Sequence, residues 1–161
     1  MFDEPRGLKN WGATLADSLH WYPCDDLGFA HDDEYLRALD VAAPPELAFA
    51  ALAFFGARGA PPIPGRRFFG WFRVVTAAQN EHVTVALRRS LPSWLLGDYV
   101  MTYRVLPGDV GARLALKVLA RYPRGPLGLL ARMGAPLVDR IASAQRLRRV
   151  RDAAEAAQIN E

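Results

Sequence analysis

A long amphipathic segment at the C-terminal end of the chain constrains the fold more than any other feature. From Pro126 to about Ala157, apolar residues recur at spacings of three and four, so they fall on one stripe of an α-helix. The stripe comprises Leu130, Met133, Leu137, Ile141, Ala144 and Leu147. The segment is long enough to cover a whole sheet, and we predict that this stripe faces one. Leu137→Asp would then bury an unpaired charge and destabilise the protein by several kcal/mol.

Strand-like runs precede this helix. The run at 35–41 is predicted as a first strand, and the Ala-Ala-Pro-Pro-Glu stretch after it is typical of a helix N-terminus. That helix is predicted to end near Phe55, with Gly56 as its stop. Alternation of apolar and polar residues predicts four further strands, at 68–77, 82–89, 99–106 and 112–122. In the last of these, Leu114, Leu116 and Val118 are predicted to face the core.

The links between the later strands are short and polar, notably 79–81 and 107–111, which indicates antiparallel neighbours. The order of elements predicts an α+β fold class, with a curved antiparallel sheet wrapped around the C-terminal helix and short helices after the first strand. Residues 1–33 are predicted to be an N-terminal extension packed on a domain at 34–157. Within the extension, a short helix is expected over 10–19.

Composition restricts the class of protein. A chain of 161 residues with 51% hydrophobic residues is expected to form one globular domain. The net charge of +3 is small, and almost all of the basic residues are arginines, so the charge does not favour a nucleic-acid partner. A single cysteine cannot form an internal disulfide. The first residues do not show the basic region and apolar run of a signal peptide. The apolar stretch at 42–55 is too short to span a bilayer. We expect a soluble, cytoplasmic protein without stable membrane insertion; the oligomeric state is left open.

The order of the predicted elements and several short segments resemble the SRPBCC superfamily of START-like, birch-pollen-allergen-like and polyketide-cyclase-like proteins. The segments are 39–46, with its Ala-Pro-Pro-Glu, then 70–75, 102–106, 112–114 and the closing Gln145-Arg146-Leu147. Tyr22-Pro23-Cys24-Asp25 resembles a motif of a bacterial branch often labelled polyketide-cyclase-like. The resemblance covers about residues 20–155. It implies a helix-grip fold and an apolar ligand held between sheet and long helix, but it carries over no catalytic motif, because the superfamily hosts many functions.

Large side chains on or beside the central strands and on the helix stripe are candidates for the wall of such a cavity. The predicted ligand-binding residues are Phe68, Trp71, Phe72, Trp94, Tyr99, Tyr103, Met133 and Leu137. Ligand pockets are mostly apolar with a few polar groups, and the tyrosines and Thr102 would supply these here. The alternative is that the aromatic residues simply fill a core.

No catalytic residue, metal site or cofactor is predicted. His20, His31 and His82 are scattered and lack metal-ligand spacing or a recognisable triad. Cys24 is followed by two aspartates, which disfavour a thiolate, so it is predicted to be a buried structural residue. The arginine-rich end of the last helix is interpreted as a solvated, dipole-stabilised helix end, with anionic lipid or nucleic acid as the alternative partner.

Two functions follow from the resemblance. The first is binding or transport of a hydrophobic small molecule or lipid in a cavity under the loop at 56–65. The second is a polyketide cyclase or dehydrase-like enzyme acting on an aromatic or polyketide substrate, which needs a polar group aimed into the cavity. Tyr99, Tyr103, Arg104 and His82 are the candidates for that group. A third interpretation has no cavity at all and a surface that serves a protein partner.

Overall fold

The computed structural model describes residues 10–87 and 96–160. Its strands are β1 (Asn10–Trp11), β2 (Asp33–Val41), β3 (Arg67–Phe68), β4 (Phe72–Ala78), β5 (His82–Leu87), β6 (Asp98–Gly108) and β7 (Gly111–Arg121). Its helices are α1 (Leu15–Leu19), a 3₁₀ helix (Pro23–Leu27), α2 (Pro45–Ala57) and α3 (Pro126–Ile159). The predicted α+β order of strand, helix, antiparallel strands and long helix is confirmed.

The strands form a single sheet in the order β1-β2-β7-β6-β5-β4-β3. Neighbours are antiparallel except β1 and β2, which are parallel. The predicted hairpin at 107–111 joins β6 to β7 and pairs Gly108 with Gly111. Gly111 has φ +144°, and a Cβ there would lie 2.8 Å from the carbonyl oxygen of Val41, so the turn requires glycine.

Each face of the sheet has its own hydrophobic core. On the inner face, Leu114, Leu116 and Val118 are fully buried, as predicted, and pack with Leu52 of α2 and Leu147 of α3. On the outer face, residues before β2 cover the strands. The buried residues that they contribute are Ala13, Tyr22, Cys24 and Phe29. Most of residues 13–29 are therefore held by a second core on the outer face, whereas Trp11 packs against the inner core beside Arg148 of α3.

The N-terminal part differs from its prediction in one respect, because a helix does not start at residue 10. Asn10 and Trp11 instead pair with β2, and Gly12 turns the chain with φ +66°. Helix α1 then begins after Thr14, whose hydroxyl accepts a hydrogen bond from the Asp17 backbone while the Asp17 carboxylate accepts one from the Thr14 backbone. This reciprocal capping box fixes the start of the helix.

The predicted strand at 68–77 is also interrupted. β3 ends at Phe68, and the chain turns through Phe69, with φ 44°, and Gly70, with φ 83°, before β4 begins at Phe72. Two left-handed residues in succession cannot continue a strand, so the run forms two short strands that pair with each other.

Helix α3 lies where it is predicted, but its predicted sheet-facing stripe is wrong over the first half of the helix. Leu130, Met133, Leu137 and Ile141 are between 52% and 75% exposed. The buried positions are Gly128, Pro136, Ser143, Leu147, Val150 and Ala154. Small and polar residues face the sheet here because they continue the helix face on which Leu147, Val150 and Ala154 are buried, and Asp139 beside them pairs with Arg37 of β2.

Candidate functional site

A cavity of about 420 Å³ lies between the sheet and the first half of α3. The sheet contributes large apolar side chains to its wall, among them Phe72, Leu87 and Met101. The helix contributes the small residues Ala131, Gly134, Ala135 and Ala142, and it also contributes Leu130 and Val138, whose side chains are largely exposed. The four short side chains leave space beneath the helix unfilled, and the cavity is open to solvent beside the two larger ones. The volume lies within the range of about 300–1,000 Å³ that is usual for small-molecule sites.

The structure brings some of the predicted ligand-binding residues to this cavity. Phe72 and Tyr99 line it, and so does Trp71, which is 71% exposed. Phe68 and Tyr103 are buried in the inner core beside it, with their ring centroids 5.8 Å apart.

The other predicted residues lie elsewhere. Met133 and Leu137 are on the exposed side of α3, so the expectation that they face the sheet is corrected. Trp94 lies outside the described residues.

A buried ion pair closes one side of the cavity. The Arg37 guanidinium is fully buried, and its Nη2 donates to Oδ2 of Asp139 at 2.5 Å. The Ser143 hydroxyl donates to the other carboxylate oxygen at 3.2 Å. Asp139 also lines the cavity. This pair was not predicted from the sequence, although two signals were present: a charged residue on an otherwise apolar strand face, and another within an apolar helix segment.

Tyrosines surround this ion pair and are held protonated. The hydroxyls of Tyr35 and Tyr122 are hydrogen-bonded to each other, and the Tyr99 hydroxyl donates to the carbonyl of Leu96 at 3.1 Å. Burial raises the pKa of Tyr99 to about 12, with a smaller contribution from the Asp139 charge. At neutral pH, Tyr99 is therefore a hydrogen-bond donor at the cavity wall and not a base.

A second cation, Arg146, lines the cavity seven residues further along α3. Its guanidinium carbon lies 5.3 Å from the ring centroid of Phe69 and 5.7 Å from that of Phe72, which are cation–π distances. Beneath it, the Tyr103 hydroxyl is fully buried. Burial raises the pKa of Tyr103, and the nearby Arg146 charge opposes that rise.

The other polar candidates from the sequence face away from the cavity. His82 packs against the Trp21 ring at 6.0 Å, and the Arg104 guanidinium donates to the Trp21 carbonyl. Cys24 is buried on the same outer face, where its backbone N–H donates to the Thr102 hydroxyl at 3.1 Å. Burial raises the pKa of its thiol to about 11, so the residue is an unreactive structural cysteine, as predicted.

The loop at 56–65 does not cover this cavity, contrary to expectation. Together with α2 and the turn between β4 and β5, it lines a separate groove of about 680 Å³ that includes Phe54, Ile63 and Asn80. Across the described ranges 10–87 and 96–160, no cluster of three or more His, Cys, Asp or Glu residues is placed to hold a metal ion. None of the helices in these ranges is long and apolar enough to cross a membrane.

No protein-family profile matches the sequence, and no curated protein matches it either. Solved structures do match the fold. Protein MLL2253 from Mesorhizobium loti superposes with a TM-score of 0.55 at 17% identity, over 77% of this chain and 98% of that one. Ara h 8.0201 superposes with a TM-score of 0.52 at 11% sequence identity, over 80% of this chain and 99% of that one. The fold is therefore a helix-grip fold.

The same helix-grip arrangement occurs in the di-domain ARO/CYC StfQ from the steffimycin biosynthetic pathway. It superposes with a TM-score of 0.55 at 14% identity, over 78% of this chain and 52% of that two-domain chain. At such identities the likeness concerns the fold alone. In the helix-grip fold of this protein, the cavity lies between the gripping sheet and α3, and its chemistry comes from this chain's own residues.

Proposed function

We propose that this protein binds or transports a hydrophobic small molecule or lipid in the cavity between the sheet and α3. The observation that carries the proposal is the mismatch of side-chain size across the cavity. Large apolar residues such as Phe72 and Met101 face a helix surface that is mostly alanine and glycine, and the larger lining residues Leu130 and Val138 lie exposed at its open side. A concave, mainly apolar surface of this size is typical of a small-molecule site, so a ligand is expected to fill the space.

The polar groups of the wall favour binding over catalysis. Proton abstraction needs a base, and the described lining residues include no histidine or cysteine. The one carboxylate among them, that of Asp139, is engaged by Arg37 and Ser143. Tyr99 keeps its proton at neutral pH because burial raises its pKa. These groups can orient a ligand through hydrogen bonds without reacting with it.

A cyclase or dehydrase-like enzyme is the second candidate, because a phenol and a carboxylate line the same cavity. In that case Tyr99 would donate a proton to an aromatic or polyketide substrate. Tyr99→Phe would then abolish turnover and leave substrate binding intact, as measured by product formation and by calorimetry. Equal turnover in the variant would exclude this role.

Two experiments test the binding function. Native mass spectrometry of the purified protein is expected to show a bound species that is released by denaturation and extraction with organic solvent. In a separate titration, Nile red is expected to bind saturably, and Ala135→Phe should weaken it at least about tenfold by filling the cavity.

Ala156→Phe, at an exposed position of the same helix, is the matched control and should bind Nile red as the wild type does. Wild-type affinity in Ala135→Phe would place the dye elsewhere and contradict the proposal.

A further inference from the structure

We propose that the ligand of this cavity carries a carboxylate or a similarly acidic group, and that Arg146 binds it. This inference rests on the proposed binding function and adds the chemical class of the ligand. It is drawn from the charge balance of the cavity, from the setting of the Arg146 guanidinium and from a buried hydroxyl beside it.

The charges of the cavity wall do not cancel. Among the described lining residues, Asp139 and Arg146 are the charged ones. Asp139 forms its ion pair with Arg37, whereas Arg146 forms no ion pair within residues 10–87 and 96–160. Taken together, these three groups leave one positive charge facing the cavity. A partly buried cation without a counter-ion is costly, and an anionic ligand group would offset that cost.

The guanidinium is held in place for such a group. Its central carbon lies over the rings of Phe69 and Phe72 at cation–π distances, and the side chain is half-buried. A cation–π contact uses none of the five guanidinium N–H groups as a hydrogen-bond donor to a carboxylate, so donors remain for an anion. Two parallel N–H donors match the two oxygens of a carboxylate, which is why arginine so often binds this group in a bidentate manner.

The Tyr103 hydroxyl provides an independent observation. It is buried, and the Arg146 guanidinium lies close enough to donate toward its oxygen, but no acceptor for the hydroxyl hydrogen is found within the described part of the chain. Tyr103 lies two residues after Met101 on β6, hence on the same face of the strand as that lining residue. Buried polar groups are almost always hydrogen-bonded, so an orphan hydroxyl next to an unpaired cation indicates a missing acceptor. An anionic oxygen on Arg146 would supply it.

The backbone of Phe69 is consistent with this arrangement. Its φ of 44° is unusual for a residue with a large side chain, and a hydrogen bond from its N–H to the Gly56 carbonyl at 2.8 Å holds it there. The conformation places the Phe69 ring 5.5 Å from the Tyr103 ring and 5.3 Å from the Arg146 guanidinium. The chain thus maintains an unfavourable backbone geometry where it positions the proposed anion site.

The test compares acids with their uncharged esters on two scaffolds. Isothermal titration calorimetry at neutral pH would measure decanoate against methyl decanoate, and 2-naphthoate against methyl 2-naphthoate. The wild-type protein should bind each acid about tenfold or more tightly than its ester, because the charge-assisted bonds form only with the acid. In Arg146→Met the preference should disappear while ester affinity stays within about twofold, since methionine preserves the apolar stem.

Arg149→Met is the matched control, because Arg149 is an exposed arginine on the same helix, and it should keep the acid preference. Equal affinity for acid and ester in the wild type, or a preference that survives in Arg146→Met, would refute the anion site and leave the binding function standing. If neither member of either pair bound, the proposed binding function would fail and this inference with it.

Tyr103→Phe separates a ligand role from a structural one. The variant removes a buried hydroxyl whose hydrogen has no acceptor in the described residues, so the free protein should melt close to the wild-type temperature. Acid affinity should nevertheless fall several-fold, with ester affinity unchanged. If acid affinity were unchanged, the hydroxyl would not contact the bound anion, and the acceptor argument would be wrong.

Discussion

The rotation of α3 decides where the cavity lies, and two leucine-to-alanine substitutions on that helix test it. Leu147 is fully buried in the inner core, whereas Leu137 is 52% exposed. Leucine and alanine have similar helix propensity, so the pair isolates packing from helix formation. Substitution of a buried leucine by alanine costs about 2–5 kcal/mol, and a surface substitution usually stays within about 0.5 kcal/mol.

The expected outcome is therefore a large loss of stability for Leu147→Ala and almost none for Leu137→Ala. For a chain of this length, each kcal/mol corresponds to a shift in melting temperature of about 2–4 °C. Leu147→Ala should thus melt roughly 4–20 °C lower than the wild type, whereas Leu137→Ala should melt within about 2 °C of it. Urea denaturation followed by circular dichroism would give the two free energies directly.

The same measurement applied to Leu137→Asp distinguishes two positions for this residue: facing the sheet, as predicted from the sequence, or exposed, as in the structure. A sheet-facing position would lose several kcal/mol, but at the exposed position a charged side chain remains in water and has little effect. If Leu137→Asp unfolded the protein, or if Leu147→Ala were neutral, α3 would be rotated differently and the cavity described above would not exist.

Three further predictions concern other parts of the chain. Gly56→Ala places a Cβ 2.1 Å from the buried Phe68 ring and should lower the urea-unfolding free energy by about 1–3 kcal/mol; an unchanged midpoint would contradict this packing. Burial lowers the pKa of His82, so the unfolded chain protonates first as the pH falls, and stability should decrease from about pH 7 to pH 5.5, less so in His82→Gln. An identical pH profile in that variant would assign the loss to other groups. Cys24 should react with a thiol reagent only when the protein unfolds, because its thiol is buried with a pKa raised to about 11; rapid reaction of the native protein would argue against its position.

Much of the fold could be predicted from local patterns. The alternation in β7 identified its core-facing residues, and the glycine- and proline-containing link at 107–111 identified a hairpin. The long amphipathic segment predicted α3, with an end within two residues of the observed end at Ile159. These features depend on neighbours in the sequence, so the sequence was sufficient for them.

The candidate site was predicted only in part. Phe72 and Tyr99 line the cavity, but the sequence did not indicate which face of their strands points inward. Arg37, Asp139 and Arg146 were not predicted as site residues, since a charged residue in an amphipathic segment is normally assigned to solvent. Tyr103 was identified, but nothing in the sequence showed that its hydroxyl hydrogen would have no acceptor in the described residues.

The sequence by itself determined which elements form, in what order, and which strand faces are apolar. The tertiary structure decided the rotation of α3 and, with it, the cavity. The exposed leucines of α3 form the more apolar surface of its first half, yet the buried surface is the one that continues from Leu147, Val150 and Ala154 and that carries Asp139 to Arg37, a residue 102 positions away. A helical period of 3.6 residues specifies a stripe, but it cannot specify which stripe packing against distant residues will bring to the sheet.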